Sequence, residues 1–310
     1  MLKNTLIYVD RYICLEDVAL ETAEDFIRCE HWSRPYMNNA NTIIIFTGGR
    51  WTAHIEGATY SFAPGELCLV RRLESLLLAP KEYPCSFQRL SFSAHYFRVI
   101  DPEELLCSPF EGRPFGVGNK ITSVEYDSSR LLGNLRAIAA QPEAPLRRLS
   151  LVVSLAELLH DLMRRPAEAV DTRPEEARMI IDYLNEHYFE DLDIDLLARR
   201  VFTSRTKLSR LMKEYTGYTI WDYILNKRIF RAIQLLHAGL SNQEAAQQVG
   251  FKNYSTFYKA FLRITGATPT VEHPTSQDNP LLPNYYNVDL AKQWMAERYG
   301  LDLDAIETEI

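Results

Sequence analysis

The chain has 310 residues, 46% of them hydrophobic and 24% charged, which at ~150 residues per domain is an ordinary globular composition with room for two domains. Its formal net charge of −7 argues against a protein that binds polyanions indiscriminately. The five cysteines (Cys14, Cys29, Cys68, Cys85, Cys107) are odd in number and form no C-x-x-C pair, which argues against a disulfide framework or zinc site and fits reduced thiols. The first residues reach charge too early for a signal peptide, and no run approaches the ~20 apolar residues of a membrane span. The expectation is a cytoplasmic protein without membrane contact.

The first 125 residues read as β-rich. The β-branched run 42–46 is followed by Gly48 and Gly49; 51–55, 59–62, 67–70 and 87–92 then alternate with turn signals, including Pro64-Gly65. Short strands at this spacing predict a sandwich or barrel. The turn at Pro64 to Glu66 resembles that of a cupin-like jelly roll. Metal-binding cupins place two histidines one residue apart, whereas His31, His54 and His95 stand singly. No metal site, cofactor or catalytic residue is therefore expected. Trp51, Tyr60, Phe62 and Phe87 are candidates to line a ligand cavity in a small barrel, with plain core packing the more ordinary role for each. Arg71, directly after a strand, is a candidate anchor for an anionic ligand, or else a solvated strand end.

Two helices follow, 128–140 and 146–164. The second carries Leu149, Val152, Val153, Ala156, Leu159 and Leu162 on one face, and Leu151, Leu155 and Leu158 widen it. That width suggests burial in its own domain on one side and a homodimer contact on the other, with burial entirely within the monomer as the alternative. The polar, proline-bounded stretch 166–173 is a linker.

From 174 the pattern is helical and charge segregates. Eight acids lie between Glu175 and Asp195, and the stretch to Pro274 is rich in arginine and lysine. Thr172, Pro174 and Glu175 suit the start of a helix at 174–188, and Asp193 the start of a short one after it. A short helix, a turn and a second helix occur twice, at 192–213 and 241–261. That is the pattern of a helix-turn-helix, whose second helix enters the DNA major groove. In the first copy Leu208, Leu211, Met212 and Tyr215 face inward, leaving Arg205, Thr206, Ser209, Arg210 and Lys213 outside. Short hydroxyls flanked by cations suit base edges and phosphates. In the second copy Phe257 and Phe261 anchor the helix, leaving Tyr254, Ser255, Tyr258 and Lys259 outside. Capping boxes at Thr219 to Asp222 and Ser241 to Glu244 bracket a helix at 220–236, a strut between the copies. Gly250 permits the second turn and Asn253 caps the helix after it.

Arg228-x-x-x-Ala232-x-x-Leu235-Leu236, then Glu244-Ala-Ala-x-x-Val-Gly-Phe251, Phe257-x-x-x-Phe261 and Thr265-Gly-Ala-Thr-Pro269, resembles the AraC/XylS-type transcriptional regulators over roughly 180–269. The resemblance implies two helix-turn-helices reading one asymmetric half-site of double-stranded DNA, with RNA polymerase as a partner. It also implies an attached cupin-like domain that takes a small-molecule effector or a second subunit. The base-contacting positions it implies are Thr206, Ser209 and Arg210, and Tyr254, Ser255, Tyr258 and Lys259. Ala245 stands where isoleucine is common and Leu262 where lysine is. The usual Tyr-Arg after Pro269 is replaced by Thr270 and Val271.

The expected fold class is α+β. A cupin-like β-barrel or jelly roll with two helices (1–165) precedes the linker and an all-α domain of two helix-turn-helices joined by a long helix (174–274). An acidic extension (275–310) with one helix ends the chain. The expected function is sequence-specific transcription regulation, in the activating direction. The alternatives are a cupin-type enzyme with a DNA-binding appendage, for which no catalytic constellation is present, and a regulator controlled by a protein partner alone.

Overall fold

A computed structural model describes residues 6–15, 18–28, 36–92 (apart from 39, 83 and 84), 101–122 (apart from 102 and 104), 129–140, 145–164, 171–265 (apart from 172 and 238) and 268–269. The amino-terminal strands are β1 (Leu6–Leu15), β2 (Val18–Arg28), β3 (Tyr36–Met37), β4 (Asn41–Gly48), β5 (Trp51–Ile55), β6 (Ala58–Phe62), β7 (Leu67–Val70), β8 (Ser75–Pro80), β9 (Ser86–Phe92) and β10 (Lys120–Ile121). They form two antiparallel sheets, ordered β1-β2-β9-β4-β7-β10 and β3-β8-β5-β6.

Strand β4 shows why these residues pack as they do. Successive side chains of a strand point to opposite faces. Ile44 and Phe46 meet Trp51, Ala53, Ile55, Phe62, Leu76 and Leu78 of the smaller sheet. Ile43 and Ile45 instead join Leu67, Leu69, Leu90 and Phe92 under the helices. A strand covered on both faces reads as a continuous apolar run, which is what 43–46 shows.

Those helices are α1 (Ser108–Glu111), α2 (Ser129–Ala140) and α3 (Pro145–Met163). Leu155, Leu158, Leu159 and Leu162 of α3 are buried in their own domain with Phe110 and Leu131. Leu155 and Leu158, two of the three leucines expected to widen the face of α3, are thus covered within their own domain. Among the described side chains of α3, Val153, Glu157, His160, Asp161 and Met163 are exposed.

The carboxy-terminal helices are α4 (Glu175–His187), α5 (Ile194–Arg200), α6 (Arg205–Thr216), α7 (Ile220–His237), α8 (Asn242–Gln248) and α9 (Tyr254–Thr265). They close over one core drawn from every helix, to which Met37 and Leu73 of the β-domain also belong. Helix α4 starts at Pro174 without a side-chain cap. Thr172, expected to cap it, and the extension 275–310 lie outside the described residues. Among the described residues, no helix is long and apolar enough to cross a membrane.

Candidate nucleic-acid interface

The pair α5–α6 is built from local rules. Asp193 accepts hydrogen bonds from the N–H groups of Asp195 and Leu196, starting α5, and Ser204 accepts from Lys207 N, starting α6. Each satisfies a backbone donor that a helix start leaves orphaned. Leu208, Leu211 and Met212 are buried, whereas Arg205, Thr206, Ser209 and Arg210 are exposed and Lys213 is half-buried. Gly217, in the left-handed region, ends α6.

Helix α7 has 18 residues and is therefore ~27 Å long at 1.5 Å per residue. Asp222 N donates to Thr219 Oγ1 at its start. The α8 start has the full reciprocal box between Ser241 and Glu244, and Asn253 Oδ1 accepts from Thr256 N at the start of α9. Phe257, Ala260, Phe261 and Ile264 anchor α9. Tyr254 and Tyr258 are 40% and 36% exposed, and Ser255, Thr256 and Lys259 are exposed beside them. Thr256 is a face residue that the sequence reading did not single out.

Arg228 ties the two helix pairs together. Its guanidinium donates to Tyr188 O at 2.6 Å, Glu190 O at 2.6 Å and Gly250 O at 2.9 Å. The first two carbonyls lie just beyond α4, and the third is in the α8–α9 turn. The sequence placed Arg228 on the helix stripe and a family motif but gave no sign of this role.

The acids that precede α5 do not remain apart from the basic faces. Asp195 pairs with Arg205 at 2.7 Å, Glu176 with Lys207 at 2.7 Å and Asp191 with Lys252 at 2.6 Å. All three pairs are exposed, so each is worth little and yields readily to a competing phosphate. Arg210, Lys213 and Lys259 make no ion pair with a described residue.

The β-domain seats on the back of this region, away from the exposed side chains. Gly57, at φ 86, leaves so little room that a Cβ there would lie 3.0 Å from Ile181 of α4 and 3.4 Å from Tyr215 of α6. Beside it the buried Glu56 carboxylate accepts from Ser75 N at 2.6 Å, from Asn185 Nδ2 at 3.3 Å and from the Tyr223 hydroxyl. Lys227 Nζ, fully buried, donates to Leu73 O at 2.6 Å and lies 3.9 Å from Glu56. It also sits 4.1 Å from the Phe115 ring centroid. Burial pushes the Lys227 ammonium down to about 8, with Glu56 and Glu74 only partly offsetting it. Burial, and then the Glu56 charge, push the Tyr223 hydroxyl up.

Behind the seam, Glu74 is held by Arg113 at 2.8 Å, Asn119 Nδ2 at 2.9 Å and Gly116 N at 2.8 Å. Burial would raise its carboxyl, but Arg113 and these hydrogen bonds outweigh it and hold it below the usual range. Arg71, expected to be an anion anchor or a solvated strand end, is neither exposed nor idle. It pairs with Glu111 at 3.0 Å, donates to Arg113 O at 2.9 Å and covers Phe115.

Of the rings proposed to line a cavity, Phe62 stacks on Phe46 at 4.7 Å and Trp51 meets Phe87 edge-on at 5.4 Å. Trp51, Phe62 and Phe87 are buried in the core between the sheets. Tyr60 is half-buried and its hydroxyl donates to Gly116 O at 2.7 Å. Burial, then the Glu74 charge, raise that hydroxyl to about 12. Among the described residues, no group of three or more His, Cys, Asp or Glu could hold a metal ion.

Comparison with known proteins points to the same helices. The family described as "Helix-turn-helix domain" matches residues 197–271. An uncharacterized HTH-type transcriptional regulator from Pseudoalteromonas carrageenovora is 37% identical over 28% of this chain and 52% of its own length. The HTH-type transcriptional activator RhaS of Escherichia coli is 22% identical over 73% of this chain and 82% of its own. The carboxy-terminal domain of the response regulator yesN from Fusobacterium nucleatum is 30% identical over 31% of this chain and 95% of that one, with a TM-score of 0.30. The chain spans about half the length of several curated relatives that it matches. Residues 197–271 thus carry a helix-turn-helix domain of the AraC/XylS type, and the relatives that share it are named transcriptional regulators.

Proposed function

We propose that the protein is a sequence-specific, double-stranded-DNA-binding regulator of transcription whose reading helices are α6 and α9. The observation that carries this is that both helices end a helix–turn–helix pair and turn exposed hydroxyls, tyrosines and cations outward. On α6 these are Arg205, Thr206, Ser209 and Arg210, with the half-buried Lys213 beside them; on α9 they are Tyr254, Ser255, Tyr258 and Lys259. Arginine suits guanine edges, hydroxyls suit several base edges, and lysine suits phosphate. Helix α7 and Arg228 fix the separation of the two pairs, and ~34 Å separates successive major grooves on one face of a duplex. The two facing sheets are read as the cupin-like part of the family architecture. The RhaS relative is named a transcriptional activator, and activation, through contact with RNA polymerase in the cytoplasm, is the direction we assign here.

Control is assigned to the β-domain, because its seam with α4, α6 and α7 is buried and polar. A small molecule or a protein partner bound at that domain would act through this seam. Selection of bound duplexes from a random pool tests the reading. A recurrent motif in two blocks is expected, and recovery of duplexes without a shared motif would refute it. A shift in thermal stability on adding a metabolite panel separates a small-molecule effector from control by a protein partner.

A further inference from the structure

The turns of the two helix pairs share one backbone. Val201 N and Val249 N close the first helix of each pair on Leu197 O and Ala245 O, at 3.0 and 3.2 Å. The next residue takes positive φ in both, 51° at Phe202 and 88° at Gly250. Its N–H meets Arg199 O at 3.2 Å in the first turn and Gln247 O at 3.1 Å in the second. The residue after it returns its N–H to Ala198 O at 2.9 Å and to Ala246 O at 3.0 Å.

The two turns differ in what fills that position. In the second a glycine is obligatory, since a Cβ would lie 2.0 Å from Phe189 O. In the first the same position carries a phenylalanine whose side chain is 95% exposed. The left-handed region disfavours any residue with a Cβ, and water disfavours a free phenyl ring. Nothing within the described chain offsets either cost, because a ring so exposed has almost no packing contact. Phe202 lies two residues before Ser204, the cap of α6, and the amino-terminal end of a reading helix is the end that meets base edges. Arg199, Arg200, Arg205 and Arg210, all exposed, surround it in sequence.

We propose that Phe202 is a further DNA-contacting residue, whose ring packs on the apolar face of a deoxyribose at the lip of the groove that α6 enters. This rests on the reading of α6 given above. The occupant is a polyanion because the neighbouring side chains are arginines. The contact is made to its sugar because a phenyl ring offers a phosphate nothing. Such a contact strengthens binding to every sequence and leaves the number of phosphates neutralised unchanged.

The test uses the full chain and the duplex enriched by selection from a random pool. Phe202→Asn and Phe202→Gly both suit positive φ, so each is expected to melt no lower than the wild type while binding about tenfold more weakly with an unchanged salt slope. With p-benzoylphenylalanine in place of Phe202, irradiation of the complex is expected to join the protein to the DNA strand. Affinity within about twofold of wild type for both variants, or a crosslink to protein instead of DNA, overturns the proposal. Arg210→Ala separates this failure from that of the underlying reading. Loss of affinity there with none at Phe202 removes only the role of the ring. A wild-type chain that enriches no sequence removes both.

Discussion

Replacing Arg228 by alanine removes three hydrogen bonds from a charged donor, at 2.6, 2.6 and 2.9 Å, that join the residues just beyond α4 to the turn between α8 and α9. A hydrogen bond to a charged group is worth about 1.5–3 kcal/mol net when the site is dry. The guanidinium is only half-buried, so water replaces part of what is lost and screening reduces the rest. The expected cost is therefore about 2–4 kcal/mol of unfolding free energy, well below the sum of three buried bonds. Arg228→Lys keeps the charge but not the planar fork that reaches three carbonyls at once, so it should fall between the two. Urea unfolding followed by circular dichroism measures both variants. The same substitution releases the second turn from the first pair, so affinity for a two-block DNA site should fall more than affinity for one block alone. An Arg228→Ala chain with the wild-type urea midpoint and the wild-type preference for two blocks would refute the reasoning.

Arg210→Ala and Lys259→Ala should each cost ~1–3 kcal/mol of DNA affinity if they meet bases, with relaxed preference at one position each; competition binding with single-base variants measures this. Gly250→Ala places a Cβ 2.0 Å from Phe189 O at a φ of 88°, and should cost at least about 2 kcal/mol in urea unfolding. Lys227 makes the seam pH-dependent. Its folded value of about 8 lies below the ordinary 10.5, so between these values the opened chain binds a proton that the closed one does not. Closure should therefore strengthen as pH rises from about 8 toward 9.5, by an amount on the order of 1–2 kcal/mol. Hydrogen exchange at Leu73 and Tyr223 reads it, and Lys227→Met should flatten the dependence.

What the sequence made legible followed from local chemistry. The caps at Asp193, Ser241 and Asn253 sit within three residues of the N–H groups they satisfy, so spacing alone located them. The inward stripe of α6 followed from 3.6-residue periodicity, and β5 and β7 from turn residues on either side of them. Strand β8 was missed because Leu76, Leu77 and Leu78 carry neither alternation nor β-branching. Strands β1 and β2 were missed because Asp10, Arg11, Glu21, Glu24 and Asp25 interrupt any apolar pattern. Long-range polar contacts left almost no local trace. Glu56 meets Tyr223 across 167 positions, and Lys227 meets Leu73 across 154. One sign was present: Lys227 lies four residues after Tyr223 and three before Phe230, so a lysine stands on a buried stripe. Such a lysine needs a carbonyl and a carboxylate from elsewhere, and the β-domain supplies both. The width of α3 has a related cause, since a helix roofing a sheet buries more than half its circumference, as Leu155, Leu158, Leu159 and Leu162 do here.

The most direct measurement of the central claim is a methylation-interference and hydroxyl-radical footprint of the full chain on its selected duplex. Two major-groove segments on one face of the DNA, about one helical turn apart, should be protected together, with Arg210→Ala clearing one and Lys259→Ala the other. Protection of a single groove that is unaltered by either substitution would contradict the account.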